Sequence, residues 1–194
     1  MTFERPSRAG MRQPTRLGIR AQQALMRWAF RDDLTGLLNR RGFRLLAGRR
    51  MASAQKRGRA LLLFYADLDG FKQINDTFGH AEGDRALIRT AASFRKAFRR
   101  SDVISRFGGD EFVALVTEEP GCSAQALCRR LKRYLKQADT SGYRLSLSTG
   151  VIRFDHTGAP PLEELLAQAD GRLYSKKQHR HRLTLVPPRP AARE

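Results

Sequence analysis

Two glycines followed by two carboxylates, Gly108-Gly109-Asp110-Glu111, stand between two apolar runs of β type, Asp102 to Phe107 and Phe112 to Val116. A Gly-Gly pair between strands is a tight-hairpin signal, because glycine reaches positive φ without steric cost. The spacing predicts Asp110 and Glu111 at a hairpin tip, with no glycine side chain to keep a ligand off the backbone. Close backbone approach beside a carboxylate is what a phosphate with its Mg²⁺ requires. A second acidic cluster, Asp67-Leu68-Asp69, closes another apolar run, Leu61 to Ala66, of the kind that forms a central strand. Strands of one sheet can bring two such ends together. A carboxylate from each, Asp67 and Asp110, would then hold one or two divalent cations, with Asp69 facing away. Mg²⁺ takes oxygen ligands, commonly one or two carboxylates plus substrate phosphates, so the chemistry expected is displacement at phosphorus.

The elements that position these groups follow from periodicity. Residues 1–15, with Pro6, Gly10 and Pro14, read as disordered. Leu17 to Phe30 reads as a helix whose Leu17, Ala21, Ala24 and Trp28 repeat at 4-3-4 spacing, a short possible coiled-coil seam. Further helices are expected over 41–55, 71–78 (broken by Gly79) and 82–98. The last carries an apolar stripe of Leu87, Ala91, Phe94 and Phe98. Ser123 has the side chain of an N-cap for a helix to Ala138, with Leu127, Leu131, Tyr134 and Leu135 turned inward. Alternation over Tyr143 to Ile152 predicts a strand. Pro161 opens a final helix to Lys177, and Leu183 to Val186 reads as one last strand. This order predicts an α+β fold with helices on one face of a sheet. The organisation expected is a basic tail and short helix over 1–30, one domain over 31–186, and a Pro-rich tail over 187–194.

Composition narrows the class. At 194 residues and 41% hydrophobic content, one domain can bury a full core. No run of 18 apolar residues suggests a transmembrane helix, and no continuous apolar stretch near the N-terminus suggests a secretory signal. Cys122 and Cys128 fit neither a disulfide framework nor a zinc pattern, so a reduced, cytoplasmic protein is expected. The net charge is +18, and the ends carry most of it: residues 1–31 hold seven Arg against one acid, and residues 172–194 hold seven Lys/Arg against one acid. Such ends could touch nucleic acid or an anionic membrane. Few aromatics interleave with the arginines, and no helix-turn-helix, RNP or zinc pattern is present, so solubility is the favoured reading.

Further motifs stand in a fixed order: Asp33-Leu34-Thr35-Gly36-Leu37-Leu38-Asn39-Arg40-Arg41, then Asp67-Leu68-Asp69-Gly70-Phe71-Lys72-Gln73-Ile74-Asn75-Asp76, then Gly79-His80-Ala81-Glu82-Gly83-Asp84. Arg106 to Phe112 follows, then Ser148-Thr149-Gly150 and Ala169-Asp170 with Leu173-Tyr174. In that order they resemble the GGDEF domains, the diguanylate cyclases of bacterial second-messenger signalling. The resemblance covers Asp33 to about Lys177 and implies a palm-like α+β fold shared with nucleotidyl cyclases and polymerases, an antiparallel-dominated sheet flanked by helices. It implies that two GTP condense to cyclic di-GMP with release of pyrophosphate, on Mg²⁺ or Mn²⁺, in a homodimer that the Leu17–Phe30 helix would arrange.

The same resemblance implies roles. Asp67, the carbonyl of Leu68, and Asp110 would bind metal, with Glu111 near the metal or the 3′-hydroxyl. Asn75 and Asp84 would read guanine beside Phe71. Gly108 and Gly109 would admit the triphosphate, and Lys72 and Lys177 would neutralise it. Arg99 and Asp102, an RxxD pair separated from Gly108 by five residues, would form a product-binding inhibitory site. The chain departs from the family's closing LYxAKxxGRN: Lys176 stands for Ala, Arg180 for Gly, and His181 where a phosphate-binding Arg is expected. The other reading is a cyclic di-GMP-binding effector with little catalysis.

Overall fold

The computed structural model describes residues 29–139, 142–155 and 157–184, with side chains of the last helix described through Gln178. The Leu17 to Trp28 seam and both tails lie outside these residues. The elements are α1 (Arg40–Lys56), β1 (Leu61–Leu68), α2 (Phe71–Phe78), α3 (His80–Ala97), β2 (Val103–Arg106), β3 (Glu111–Thr117), α4 (Ala124–Gln137), β4 (Leu147–Phe154) and α5 (Leu162–Thr184). The four strands form one antiparallel sheet in the order β2-β3-β1-β4.

The helices cover both faces of the sheet, not one. β1 explains why: its run is apolar at every position, and alternate side chains enter different cores. Leu61, Leu63 and Tyr65 pack with Phe43 and Ala47 of α1 and Leu165 and Leu173 of α5. Leu62, Phe64, Ala66 and Leu68 pack with Ile74 of α2, Leu87 and Phe94 of α3, and Leu131 of α4. A continuous apolar strand therefore signalled two covered faces.

Local chemistry sets the helix starts. The Asn39 side chain accepts from Gly42 N at 2.9 Å and caps α1. Its amide also donates to the carbonyls of Ala29 and Arg31 at 3.1 Å, tying the lead-in segment to α1. Ser123 caps α4 by accepting from Ala126 N at 3.1 Å, as its position predicted.

Three expected boundaries move. Tyr143 and Leu145 are not in β4, because Leu145 N donates to the Asp139 side chain at 2.8 Å and Tyr143 turns its hydroxyl to Glu82. α3 begins at His80, directly after Gly79. Leu183 belongs to α5 rather than to a last strand; Leu185 and Val186 lie outside the described residues. Both sheet edges are occupied. On β2, Leu38 N donates to Ile104 O at 3.3 Å and Arg106 N to Leu38 O at 2.9 Å. On β4, Arg172 and Lys176 of α5 donate to the carbonyls of Val151 and Thr149 at 2.7 and 2.8 Å. Among the described residues, no helix is long and apolar enough to cross a membrane.

Candidate active site

The two acidic clusters meet. Asp67 on β1 pairs with Glu111 on β3, and Leu68 N donates to the Asp110 carbonyl at 3.0 Å. The Asp67 carboxyl is half-buried, and burial pushes it above the usual carboxylate range. Lys177 of α5 opposes that shift and Asp110 adds to it. Lys177 Nζ lies 2.6 Å from Asp67 Oδ1, so a positive charge already stands on this carboxylate. Asp69 follows the last residue of β1 and accepts from the hydroxyls of Ser146, just before β4, and Ser148, within it, at 2.7 and 2.6 Å.

This donor set fits a hard divalent cation. Two carboxylates, Asp67 and Asp110, flank the main chain of Leu68, and the position attracts a cation in the form of Lys177. Among the described residues, no group of three or more His, Cys, Asp or Glu side chains could hold a metal ion unaided. The remaining ligands would come from the Leu68 carbonyl, water and a nucleotide phosphate.

The hairpin differs from the one expected. Glu111 is the first residue of β3, so the loop is Phe107 to Asp110 and only Asp110 is at its tip. Neither Gly108 nor Gly109 has positive φ. A Cβ on Gly108 would stand 2.1 Å from Glu111 Oε2, so the Glu111 side chain folds back over Gly108 and would have to swing aside for any larger residue. A Cβ on Gly109 would meet nothing within 4 Å, which leaves its backbone open to a ligand. Arg106 clamps the loop, donating from Nε and Nη2 to Gly109 O at 2.9 and 2.7 Å.

The α2–α3 corner assembles a second group. A Cβ on Gly83 would lie 1.8 Å from Asn75 Oδ1 and 3.3 Å from the Phe71 ring, so these side chains close over the Gly83 backbone. Asp84 follows, exposed, at the start of α3, and Lys72 is exposed on α2.

Beside this corner, Glu82 accepts from Arg85 Nη1 and from the Tyr143 hydroxyl, each at 2.8 Å, and from Arg89. Arg85 chiefly, then Tyr143 and Arg89, hold its carboxyl down at about 2. A depressed acid stabilises the fold above its unfolded value, and that contribution is lost as pH falls through the folded one. The thermal midpoint of the wild type should therefore fall more steeply than that of Glu82→Gln between pH 4.5 and about 2. Parallel curves would show that the Glu82 contacts add nothing.

With this geometry the comparisons are specific. The family model for the diguanylate cyclase GGDEF domain matches residues 29–182. The chain belongs to the GGDEF family. Diguanylate cyclase DosC of Escherichia coli K12 is 39% identical over 160 residues, covering 79% of this chain and 34% of the relative. Cyclic di-GMP phosphodiesterase NbdA of Pseudomonas aeruginosa is 35% identical over 160 residues, 81% of this chain and 20% of that protein. The chain thus spans about a third or less of these curated relatives. In three dimensions, the coiled coil and GGDEF domain of DgcB from Caulobacter crescentus, solved with c-di-GMP, matches with a TM-score of 0.73 at 23% identity, covering 83% of this chain and 87% of that one. That likeness supports the palm-like α+β fold.

In this GGDEF domain the RxxD residues form a turn. Arg99 N donates to Asp102 Oδ2 at 2.7 Å, and Asp102 N to Arg99 O at 3.0 Å. The Arg99 guanidinium pairs with Glu119. Burial raises the Asp102 carboxyl, while Arg99, Arg50 of α1 and Arg130 of α4 lower it. Arg99, Arg129, Arg130 and Arg133 line one pocket of about 400 Å³. Arg130 Nε is buried there with no hydrogen-bond partner among the described residues. Sequence reading missed these α4 arginines; the Arg129-Arg130-x-x-Arg133 spacing on one helix was the available signal.

It also missed Asp32 and Arg106. Asp32, not Asp33, organises the first motif: Oδ1 accepts from Thr35 N at 2.8 Å and from its hydroxyl at 2.6 Å. The same carboxylate pairs with Arg106 at 3.2 Å, which links the lead-in turn to the GGDE loop. His181 lies on α5 where side chains are not described.

Proposed function

We propose that this GGDEF domain is a diguanylate cyclase that condenses two GTP into cyclic di-GMP with release of two pyrophosphates. The observation that carries the reading is the meeting of Asp67, Asp110 and Lys177 at one sheet end, beside an open glycine backbone. A divalent cation held by Asp67, Asp110 and the Leu68 carbonyl, Mg²⁺ or Mn²⁺, supplies charge for the oxygens of the displacement when bound. The chain's own residues do the rest. The open backbone of Gly109 admits the triphosphate, with Gly108 beside it once the Glu111 side chain swings aside, and Lys177 exchanges Asp67 for a phosphate oxygen. Asn75 and Asp84 satisfy the donors and acceptors of guanine over Phe71, where an unmatched buried polar group would cost about 1–3 kcal/mol. Glu111 takes the proton of the attacking 3′-hydroxyl. The new 3′-O–P bond forms at the α-phosphorus as the bond to the β-phosphate oxygen breaks. Repetition in the opposite sense closes the ring, so two domains must face each other, and positioning supplies much of the rate.

The test is incubation of the protein with GTP and Mg²⁺ and separation of cyclic di-GMP by chromatography. Absence of product at high protein concentration, after removal of bound nucleotide, would overturn the reading and leave a cyclic di-GMP-binding effector.

Product control belongs to the same proposal. Cyclic di-GMP would occupy the arginine pocket, with Arg99 leaving Glu119 to fork onto a phosphate and Asp102 accepting from a guanine edge. The Arg130 Nε is a donor already desolvated for this purpose. Arg99→Ala should raise the product concentration giving half-inhibition by about 10- to 100-fold, the worth of a charged hydrogen bond, with the initial rate unchanged. Inhibition curves that coincide would exclude the site.

A further inference from the structure

Tyr65 belongs to none of the motifs, yet it lies at the foot of the site. It precedes Asp67 by two positions on β1, so both side chains leave the strand on one face. Its β3 partner is Val113, which puts Glu111 diagonally adjacent on that same face. Tyr65 is 7% exposed. The Phe107 ring packs edge-on against it at 5.9 Å, and the Arg40 guanidinium lies 4.8 Å from the Phe107 ring. A buried phenol needs a hydrogen-bond partner. Glu111, diagonally across the ladder, is the acceptor that this face offers, and burial first, then Glu111, raises the phenol above its ordinary range. Asp170 acts in the same direction and Arg40 against it. The Glu111 carboxylate folds back over the bare Cα of Gly108, on the face it shares with Tyr65.

We propose that Tyr65 is a positioning residue: its hydroxyl sets the rotamer of Glu111, and through Glu111 the shape of the Gly108-Gly109 turn that receives the triphosphate. A phenylalanine would fill the same space and pack on Phe107 equally well, so the hydroxyl serves the carboxylate and not the core. The turn is sensitive to this contact because the amides of Phe107 and Gly108 both point to the Glu111 carbonyl, at 2.7 and 3.4 Å. Tyr65 is buried and packs on Phe107 at the base of the turn. Its influence therefore falls on the orientation of reacting groups rather than on affinity. The kinetic half of this inference rests on the cyclase reading.

The test is a double-mutant cycle on the full chain with Tyr65→Phe and Glu111→Gln. In Tyr65→Phe, kcat should fall about 10-fold with KM for GTP changed less than about 2-fold, the signature of lost orientation. In the Glu111→Gln background the same change should have no further effect. Independently of activity, hydrogen exchange at the Phe107 and Gly108 amides should quicken in each single variant, and no further in the double. Equal losses of kcat in both backgrounds, or unchanged exchange in Tyr65→Phe, would overturn the proposal. If the wild type makes no cyclic di-GMP, the cyclase reading falls alone, and the exchange cycle still decides the role of Tyr65.

Discussion

Asp110→Ala should lower cyclic di-GMP synthesis by about 10³-fold or more, a loss at the upper end of what one electrostatic group at a reacting centre supplies, while leaving the fold in place. The two halves of that expectation have separate causes. Asp110 contributes to folding through its main chain: its carbonyl accepts from Leu68 N at 3.0 Å whichever side chain it bears. Its carboxylate sits at the tip of the β2–β3 loop, close enough to Asp67 to push that acid upward. Removing the carboxylate leaves Asp67 as the one acid of the pair, and Lys177 then satisfies it alone. The measurement is chromatographic yield from GTP and Mg²⁺ beside the thermal midpoint. Retained synthesis in a folded variant would show that the cation is held elsewhere. A collapsed midpoint would place Asp110 in the fold rather than in the chemistry.

Gly150→Ala should destabilise the domain by about 3 kcal/mol, the cost of forcing a methyl into a packed site that cannot yield, and activity should fall with it. Gly150 stands on β4, paired with Tyr65 of β1. A Cβ there would lie 1.9 Å from Ala169 O and 2.8 Å from Leu173 N, both main-chain atoms of α5. Backbone cannot rotate away as a side chain does, so the helix must lift. Lys177 lies one turn beyond Leu173 on that helix, and lifting it carries the amine away from Asp67. Denaturant unfolding measures the loss. Gly109→Ala is the control: its Cβ meets nothing within 4 Å, so it should unfold like the wild type. A wild-type midpoint for Gly150→Ala would mean that α5 does not rest on β4 as closely as described.

Much of the site was legible because its signals are local in the chain. Asp67 and Asp110 each lie at the end of an apolar run beside a turn, and such ends meet at one end of a sheet in few topologies. Ser123 was readable as a cap, since capping depends on one side chain and an amide three residues on. Asp32 was not, because its partner Arg106 is remote in sequence and only the fold brings the two within 3.2 Å. The helices on the second face were missed for a related reason: a strand apolar at every position states that both faces are covered, but not by which segments.

The order of motifs alone determined the family, the palm-like class and the two acidic strand ends, because each rests on residue types at short fixed spacing. Tertiary structure alone decided that Gly108 has no positive φ and that the Glu111 carboxylate folds over its Cα. It also decided that Lys177 stands on Asp67 and that four arginines from two segments share one pocket. These are contacts between residues far apart in the chain. Their distances are set by how α4 and α5 pack on the sheet, which no local pattern encodes.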